Sequence, residues 1–140
     1  MTIKERQDEL IEEFSMFDDW MEKYEYIIDL GKDVEGISDD LKSDDYIVQG
    51  CQSRVWLIPS KEGEQLHFQA DSDAIITKGI VGMVVRVLSN ATADEILKAD
   101  LYFVEKIGLK EHLSPTRSNG LVSMIKKIKT YALAYLAKAI

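Results

Sequence analysis

The chain has 140 residues, 46% of them hydrophobic and 30% charged, which suits one globular domain with a single core. Its net charge of −8, from 25 acidic and 17 basic residues, argues against a nucleic-acid-binding protein, which needs clustered Lys and Arg. A disulfide within the chain is excluded because Cys51 is the only cysteine, and the longest apolar stretch, residues 79–88, is too short for a membrane span of about 20 residues. With an N-terminus unlike a signal peptide, the free thiol predicts a cytoplasmic protein.

Two amphipathic helices are predicted at the start of the chain. The first covers about residues 3–16, and a capping box of Ser15 and Asp18 predicts where the second begins. Apolar side chains recur at helical spacing along the second helix, and Gly31 is a natural C-terminal stop for it. Residues 32–45 are acidic and irregular, which predicts an exposed loop.

Negative charge is concentrated in this first part of the chain. Residues 1–45 carry 16 acidic and 5 basic side chains, a net of −11, whereas residues 46–140 carry 9 and 12, a net of +3. A solvated acidic face explains this asymmetry, and so does a docking surface that steers a protein partner through its electric field. The sequence leaves both interpretations open.

Three strands are predicted in the middle of the chain. Residues 46–49 and 54–58 are rich in β-branched and aromatic side chains, residues 59–63 predict a turn, and residues 65–70 predict the third strand. These strands form a small antiparallel sheet. Cys51 is then expected in the tight connection between the first two strands.

Helices are predicted for the remainder. Residues 74–89 are apolar nearly all round, which predicts a helix in the interior. A short helix opens at Thr92, another covers about residues 100–107, and the last begins between Ser114 and Ser118. The predicted fold class is α+β, a single domain over residues 1–140 with a small three-stranded antiparallel sheet covered by helices.

Cys51 is the first candidate for chemistry. A lone cysteine is often only a small buried hydrophobic side chain, but Gly50, Gln52 and Ser53 around it are typical of a displayed loop. A thiol is nucleophilic as its thiolate, which a nearby cation stabilises. Arg54 could supply that cation, although it fits a solvated strand edge equally well.

Three charged residues are further candidates. Helix capping explains Asp71 and Asp73 before the apolar helix, and Asp73 could instead position the Cys51 loop. Arg117 is expected in or just before the first turn of the last helix, where a cation opposes the helix dipole. Its partner would be a carboxylate within the chain or an anionic group on another protein.

The sequence gives little support to a metal or cofactor site. One cysteine cannot supply the four protein ligands that an iron–sulfur cluster normally needs, and no phosphate loop or dinucleotide glycine motif occurs. Of the two histidines, His67 alternates with apolar residues in a predicted strand and is expected to be structural. His112 lies in a loop and could serve Cys51 as a general base.

Three short motifs stand in order along nearly the whole chain. They are VQGCQSRVW at residues 48–56, ADSDAIITKG at residues 70–79, and HLSPTRSNGL at residues 112–121 after Gly108 and Leu109. Together these motifs resemble the SufE family of cysteine desulfuration proteins, whose fold is similar to that of the U-type iron–sulfur scaffolds. One motif alone would be weak, whereas all three at this spacing are specific.

The resemblance implies a sulfur-relay function. A SufE-like protein takes persulfide sulfur from a SufS-type cysteine desulfurase onto the thiol that is Cys51 here, stimulates that enzyme, and relays the sulfur to an iron–sulfur scaffold. It implies no cofactor or metal in this chain, because the pyridoxal phosphate belongs to the desulfurase, and it leaves a homodimer open. The residues expected to support the thiol or bind the partner are Asp73, Arg117, Gly50, Gln52 and Ser53.

A persulfide is easily reduced or hydrolysed, so the free protein is expected to shelter it. The apolar helix over residues 74–89 and the aromatic Trp56 are candidate walls for that shelter. Two other classes of function stay open. One is a self-sufficient cysteine hydrolase that uses Cys51 and His112, and the other is a purely allosteric desulfurase activator in which Cys51 is incidental.

Overall fold

The structure is a computed structural model that describes residues 1–138. Within these residues, the helices and strands agree only in part with those predicted from the sequence. The helices are α1 (Ile3–Ser15), α2 (Trp20–Lys32), α3 (Ile75–Leu88), α4 (Ala93–Lys98), α5 (Phe103–Ile107), α6 (Leu109–His112) and α7 (Pro115–Lys138). The strands are β1 (Val55–Glu62), β2 (Gln65–Ser72) and β3 (Ala91–Thr92). Short 3₁₀ turns cover Asp39–Leu41 and Asp44–Tyr46.

The sheet is antiparallel with the order β1-β2-β3, which confirms the predicted α+β class with three strands. The long hairpin of β1 and β2 turns at Gly63, whose φ of 63° is left-handed. The predicted turn over residues 59–63 was therefore wrong for most of its length, since β1 continues through Pro59 to Glu62. Proline is tolerated there because β1 lies at the edge of the sheet.

The strand predicted over residues 46–49 was also wrong. Tyr46 ends a 3₁₀ turn, and Ile47 makes only an isolated bridge to Trp56. Pairing stops because the chain turns away at Gly50, where φ is 94°. The third strand is instead β3, a two-residue strand directly before the helix that was predicted to open at Thr92.

The core is built around α3, which contacts α2, the sheet, α7 and α1. Its buried position follows from its nearly all-apolar surface, as predicted. Gly31 does not end α2, which runs to Lys32. It lies at the crossing of α2 and α3, where a Cβ on Gly31 would be 2.8 Å from the backbone nitrogen of Gly79. Glycine is needed there because the two helix backbones touch.

Local polar contacts set several helix ends. The predicted capping box of Ser15 and Asp18 was wrong, because the N-cap of α2 is Asp19, four residues after Ser15, which accepts a hydrogen bond from the Glu22 N–H. Thr92 caps α4 in a capping box, as its sequence predicts. None of the helices within residues 1–138 combines the length and hydropathy required to cross a lipid bilayer.

Candidate functional site

The Cys51 loop, residues 49–54, leaves and rejoins the sheet at one place. Its ends are closed by a backbone hydrogen bond of 2.8 Å from the Val48 N–H to the Val55 carbonyl. The loop therefore directly precedes the first residue of β1, Val55, and does not form the predicted turn between two strands. A short closed loop on a sheet edge displays its side chains while its ends stay fixed.

Two glycines bring the Cys51 loop into direct contact with α7. A Cβ on Gly50 would lie 2.5 Å from Ser123 Oγ, and a Cβ on Gly120 would lie 3.2 Å from Cys51 Sγ. The left-handed φ of Gly50 is a second reason for glycine at that position. The loop thus packs on the first turns of α7, with the thiol against Gly120.

Cys51 lines a cavity of about 660 Å³ that lies between the loop, α3 and α7. Its lining combines apolar side chains with hydroxyl, amide and guanidinium groups. The apolar lining residues are Ile28, Ala74, Ile75, Ile76, Ile80, Gly120 and Met124, and the polar ones are Gln52, Ser53, Thr77, Ser114, Thr116 and Arg117. The cavity therefore brings together Cys51, Gln52, Ser53 and Arg117 among the candidates, whereas Gly50 and Asp73 lie outside its lining.

Of the two walls predicted for a shelter, α3 lines the cavity of Cys51 and Trp56 does not. The first turns of α3 line the cavity, as expected. Trp56 does not, because it is buried in β1 with the Lys42 Nζ 5.2 Å from its ring centroid. The alternation of side chains along a strand places Trp56 on the face of β1 opposite to that of Val55 and Leu57.

The thiol of Cys51 is half-buried, and this burial raises its pKa above the ordinary value. Its hydrogen-bond contact is long, 3.7 Å from Sγ to the Gly120 carbonyl oxygen. The hydrogen bonds of Arg54 are made by its backbone, so the structure gives no support to Arg54 as a cation that stabilises the thiolate. Burial therefore favours the neutral thiol of Cys51 over the thiolate.

Asp73 holds the end of the Cys51 loop. Its carboxylate accepts a hydrogen bond of 3.0 Å from the Arg54 N–H, and its own N–H donates to the Arg54 carbonyl at 3.2 Å. The Ser72 hydroxyl donates to that same carbonyl at 2.8 Å. The capping interpretation was wrong, because Ala74 is the N-cap of α3 and no side chain caps it. The geometry instead matches the alternative in which Asp73 positions the loop.

Arg117 lies in the first turn of α7, as predicted, and its side chain is exposed at the cavity. Within residues 1–138 no carboxylate lies within ion-pair distance of its guanidinium. Its backbone N–H donates to the Ser114 hydroxyl at 3.3 Å, which fixes the helix start. A cation at the N-terminal end of a helix is unfavourable by itself, and this position is not compensated by an ion pair within residues 1–138.

The two histidines make other contacts. The His112 ring stacks on Trp20 at 4.0 Å between centroids, and its Nδ1 lies 2.9 Å from the Gly108 carbonyl oxygen. His112 is not among the residues that line the cavity of Cys51. His67 Nδ1 lies 3.0 Å from the Asn90 side-chain oxygen. The structure brings neither ring to the thiol.

Sequence reasoning missed the importance of Asp71 by treating it as a cap. Its side chain is buried, and it accepts hydrogen bonds from the N–H groups of Ile37, at 3.2 Å, and Ser72, at 2.8 Å. Lys42 and Lys78 lie 3.2 and 3.4 Å from its oxygens. The contacts with Ile37 and Lys42 have no local signal, because these two residues come from a distant part of the sequence.

Comparisons with known proteins agree with this geometry. Residues 8–132 match the SufE family, described as an Fe–S metabolism associated domain. An uncharacterised SufE-like protein of Rhizobium meliloti is 41% identical, with 89% of this chain and 93% of the relative covered. One from Rhizobium etli is 39% identical, with 89% and 88% covered. The solution structure of a hypothetical protein from Thermus thermophilus has the same fold, with a TM-score of 0.77 at 16% identity and 94% and 96% of the two chains covered. This chain belongs to the SufE family, whose domain is associated with iron–sulfur metabolism.

Proposed function

We propose that this protein is a sulfur acceptor in iron–sulfur metabolism. Cys51 takes the terminal sulfur of a persulfide from a pyridoxal-phosphate-dependent cysteine desulfurase of the SufS type. Acceptance of that sulfur stimulates the desulfurase, and the protein then relays the sulfur to an iron–sulfur scaffold. The observation that carries the proposal is a lone thiol on a closed loop beside a half-apolar cavity.

The transfer is a displacement at sulfur. The Cys51 thiolate attacks the outer sulfur of the donor persulfide, a new bond forms between Sγ and that sulfur, and the donor's S–S bond breaks. The donor cysteine leaves as a thiolate, and the proton of the Cys51 thiol goes to solvent or to a base on the donor. Because burial raises the pKa of Cys51, this reaction requires the loop to open or a partner to alter the surroundings of the thiol.

The cavity suits the storage of the product. A persulfide on Cys51 would extend by one sulfur atom, and about 660 Å³ is ample space for it. The side chains of Ile76, Ile80 and Met124 offer polarizable and apolar contacts to that sulfur. A persulfide in this position would be protected until the loop opens on a partner.

The neighbouring residues take supporting roles in the proposal. Asp73 holds the loop closed through the Arg54 backbone, and Gly50 permits its turn. Arg117 presents a cation at the cavity for an anionic persulfide or for a carboxylate of the partner. Gln52 and Ser53 line the cavity beside the thiol. The acidic surface of residues 1–45 would steer a basic patch of a partner protein toward this site.

Two variants, compared with wild type, separate this function from the two alternatives. Wild-type protein should stimulate sulfide release from cysteine by a SufS-type desulfurase, and Cys51→Ser should abolish the stimulation. If Cys51→Ser stimulates as well as wild type, the protein is an allosteric activator. His112→Ala should keep full stimulation, since His112 contacts Trp20 and Gly108. Loss of stimulation in a folded His112→Ala protein would favour a cysteine–histidine enzyme.

The proposal also places the protein in the cytoplasm, because a free acceptor thiol requires a reducing compartment. Fractionation of cells that produce the protein, followed by detection with an antibody, tests this directly. Recovery with a periplasmic fraction would contradict it.

A further inference from the structure

We propose that Asp71 is a positioning residue that joins the two ends of the Cys51 loop. One connection runs through Lys42, which lies over Trp56, the bridge partner of Ile47 in the segment before the loop. The other runs through the β2–α3 connection, which holds the segment after the loop. An influence of Asp71 on sulfur transfer to Cys51 rests on the proposed function, whereas its role in positioning the loop does not.

The surroundings of Asp71 are unusual for a residue next to a helix start. The residue is 8% exposed, yet it carries a carboxylate, which is costly to bury unless it is fully paired. Both of its oxygens are used. Oδ2 lies 3.2 Å from the Ile37 N–H and from Lys42 Nζ, and Oδ1 lies 2.8 Å from the Ser72 N–H and 3.4 Å from Lys78 Nζ. Burial raises the pKa of this carboxyl, but the four partners outweigh it and hold the pKa below its ordinary value.

These partners come from three separate elements. Ile37 and Lys42 belong to the acidic segment 33–46, and Lys78 lies in the first turn of α3, whose neighbouring residues line the cavity. Asp71 is therefore a joint where the acidic segment, the end of β2 and the start of α3 meet. Removal of its charge would leave two partly buried lysines facing one another across the joint.

One route from this joint reaches the beginning of the Cys51 loop. Lys42 lies over the ring of Trp56, and Trp56 forms the isolated bridge with Ile47. Ile47 precedes Val48, whose backbone closes the loop. The segment that leads into the loop is thus held to the sheet beside Asp71.

The other route reaches the end of the loop. Asp71 accepts a hydrogen bond from the N–H of Ser72, and the Ser72 hydroxyl and both polar groups of Asp73 hold the backbone of Arg54. A shift of the β2–α3 connection would move these three contacts together. Both ends of the loop therefore depend on the same buried carboxylate.

The test measures how often the loop opens, by the rate at which iodoacetamide alkylates Cys51. Asp71→Asn keeps the shape of the side chain and removes its charge, so alkylation should become about tenfold faster, as expected when hydrogen bonds to a charged group are lost. Hydrogen exchange should accelerate in residues 36–42 and 48–55 and stay unchanged in α4. Lys42→Met should reproduce part of the effect, and the double variant should show less than the product of the two rate increases.

A matched control separates positioning from general destabilisation. Thr92→Ala removes the side-chain capping hydrogen bond of α4, a helix that contacts α7 and β3 and has no residue in the lining of the Cys51 cavity. This variant should lose global stability and keep the wild-type alkylation rate. The proposal is overturned if Asp71→Asn alkylates at the wild-type rate, or if Thr92→Ala accelerates alkylation as much at equal loss of stability.

If Asp71→Asn does not fold, Lys42→Met still tests the proposal. An unchanged alkylation rate in Lys42→Met would also overturn it. Alkylation needs no desulfurase, so this outcome is independent of sulfur transfer. If wild-type Cys51 never acquires sulfur while Asp71→Asn still opens the loop, the proposed function fails and the positioning role stands.

Discussion

The crossing of α2 and α3 offers a sharp test of the packing behind the cavity, through the variant Gly79→Ala. A Cβ on Gly79 would lie 2.7 Å from both the carbonyl carbon and Cγ2 of Ile27, and closer still to its carbonyl oxygen. Ordinary van der Waals contact begins at 3.4 Å, so these contacts are 0.7 Å too short. Backbone atoms cannot rotate away, and the two helices would have to separate.

The expected cost follows from two opposing effects. Overpacking of a core typically costs about 1–3 kcal/mol and sometimes more. Replacement of glycine by alanine inside a helix stabilises the folded protein by about 1 kcal/mol. Because the clash at Gly79 is with backbone, we expect the upper end of that cost and a net loss of about 2 kcal/mol. In a domain of this size that lowers Tm by about 6–8 °C.

Urea unfolding followed by far-ultraviolet circular dichroism measures this loss, with Gly82→Ala as the matched control. Gly82 lies one helical turn along α3, and its added Cβ would meet the Val34 Cγ2 at 2.6 Å but the Leu30 carbonyl oxygen at an ordinary 3.5 Å. A methyl group of a half-buried side chain can move, so this variant should change stability by less than about 0.5 kcal/mol. Equal stability of the two variants would refute the close backbone contact between α2 and α3.

Three further predictions concern the Cys51 loop. Asp73→Ala should accelerate alkylation of Cys51 about 2- to 12-fold, because one hydrogen bond worth about 0.5–1.5 kcal/mol no longer holds the loop. The control Asp19→Ala removes a similar hydrogen bond at the start of α2 and should leave the alkylation rate unchanged. Gly50→Ala should lower stability by about 1–2 kcal/mol because of its left-handed φ and its contact with Ser123, and urea unfolding would refute this if it detected no change. The alkylation rate of Cys51 against pH should have a higher midpoint in the folded protein than in urea, because burial raises its pKa. A folded pKa above the unfolded one stabilises the protein at lower pH, so stability should fall as pH rises through the unfolded value of about 8.5, and Cys51→Ser should abolish that fall.

The sequence predicted the parts of the fold that depend on long local patterns. The helices α1, α3 and α7 appeared close to their predicted bounds, because many apolar side chains at helical spacing specify one buried face. Two short segments of the sheet were predicted poorly. Residues 46–49 have strand-forming side chains, but Gly50 turns the chain away, and the two residues of β3 pair only because β2 lies beside them.

Glycine at helix crossings shows a second limit of sequence reasoning. Gly31 has the composition of a helix stop, and the structure uses it for contact with Gly79. Both roles need a missing side chain, and only the tertiary arrangement of α2 and α3 decides between them. The capping interpretation of Asp71 and Asp73 failed for the same reason, because their partners lie on other elements.

Several residues of the candidate site were named from the sequence, but the shape of the site was not predicted. The three motifs singled out Cys51 and its neighbours, and the structure brings Cys51, Gln52, Ser53 and Arg117 to one cavity. Neither the cavity nor the partial burial of the thiol could be predicted from the sequence. Both depend on the packing of the loop on α7.

The most direct measurement of sulfur transfer is the intact mass of the protein after one turnover with a SufS-type desulfurase, pyridoxal phosphate and cysteine. The expected product is heavier by the mass of one or more sulfur atoms, the addition maps to the peptide that contains Cys51, and a reductant removes it. A protein that keeps its original mass while the desulfurase turns over, or one whose added sulfur maps elsewhere, would contradict the role of Cys51 as the acceptor.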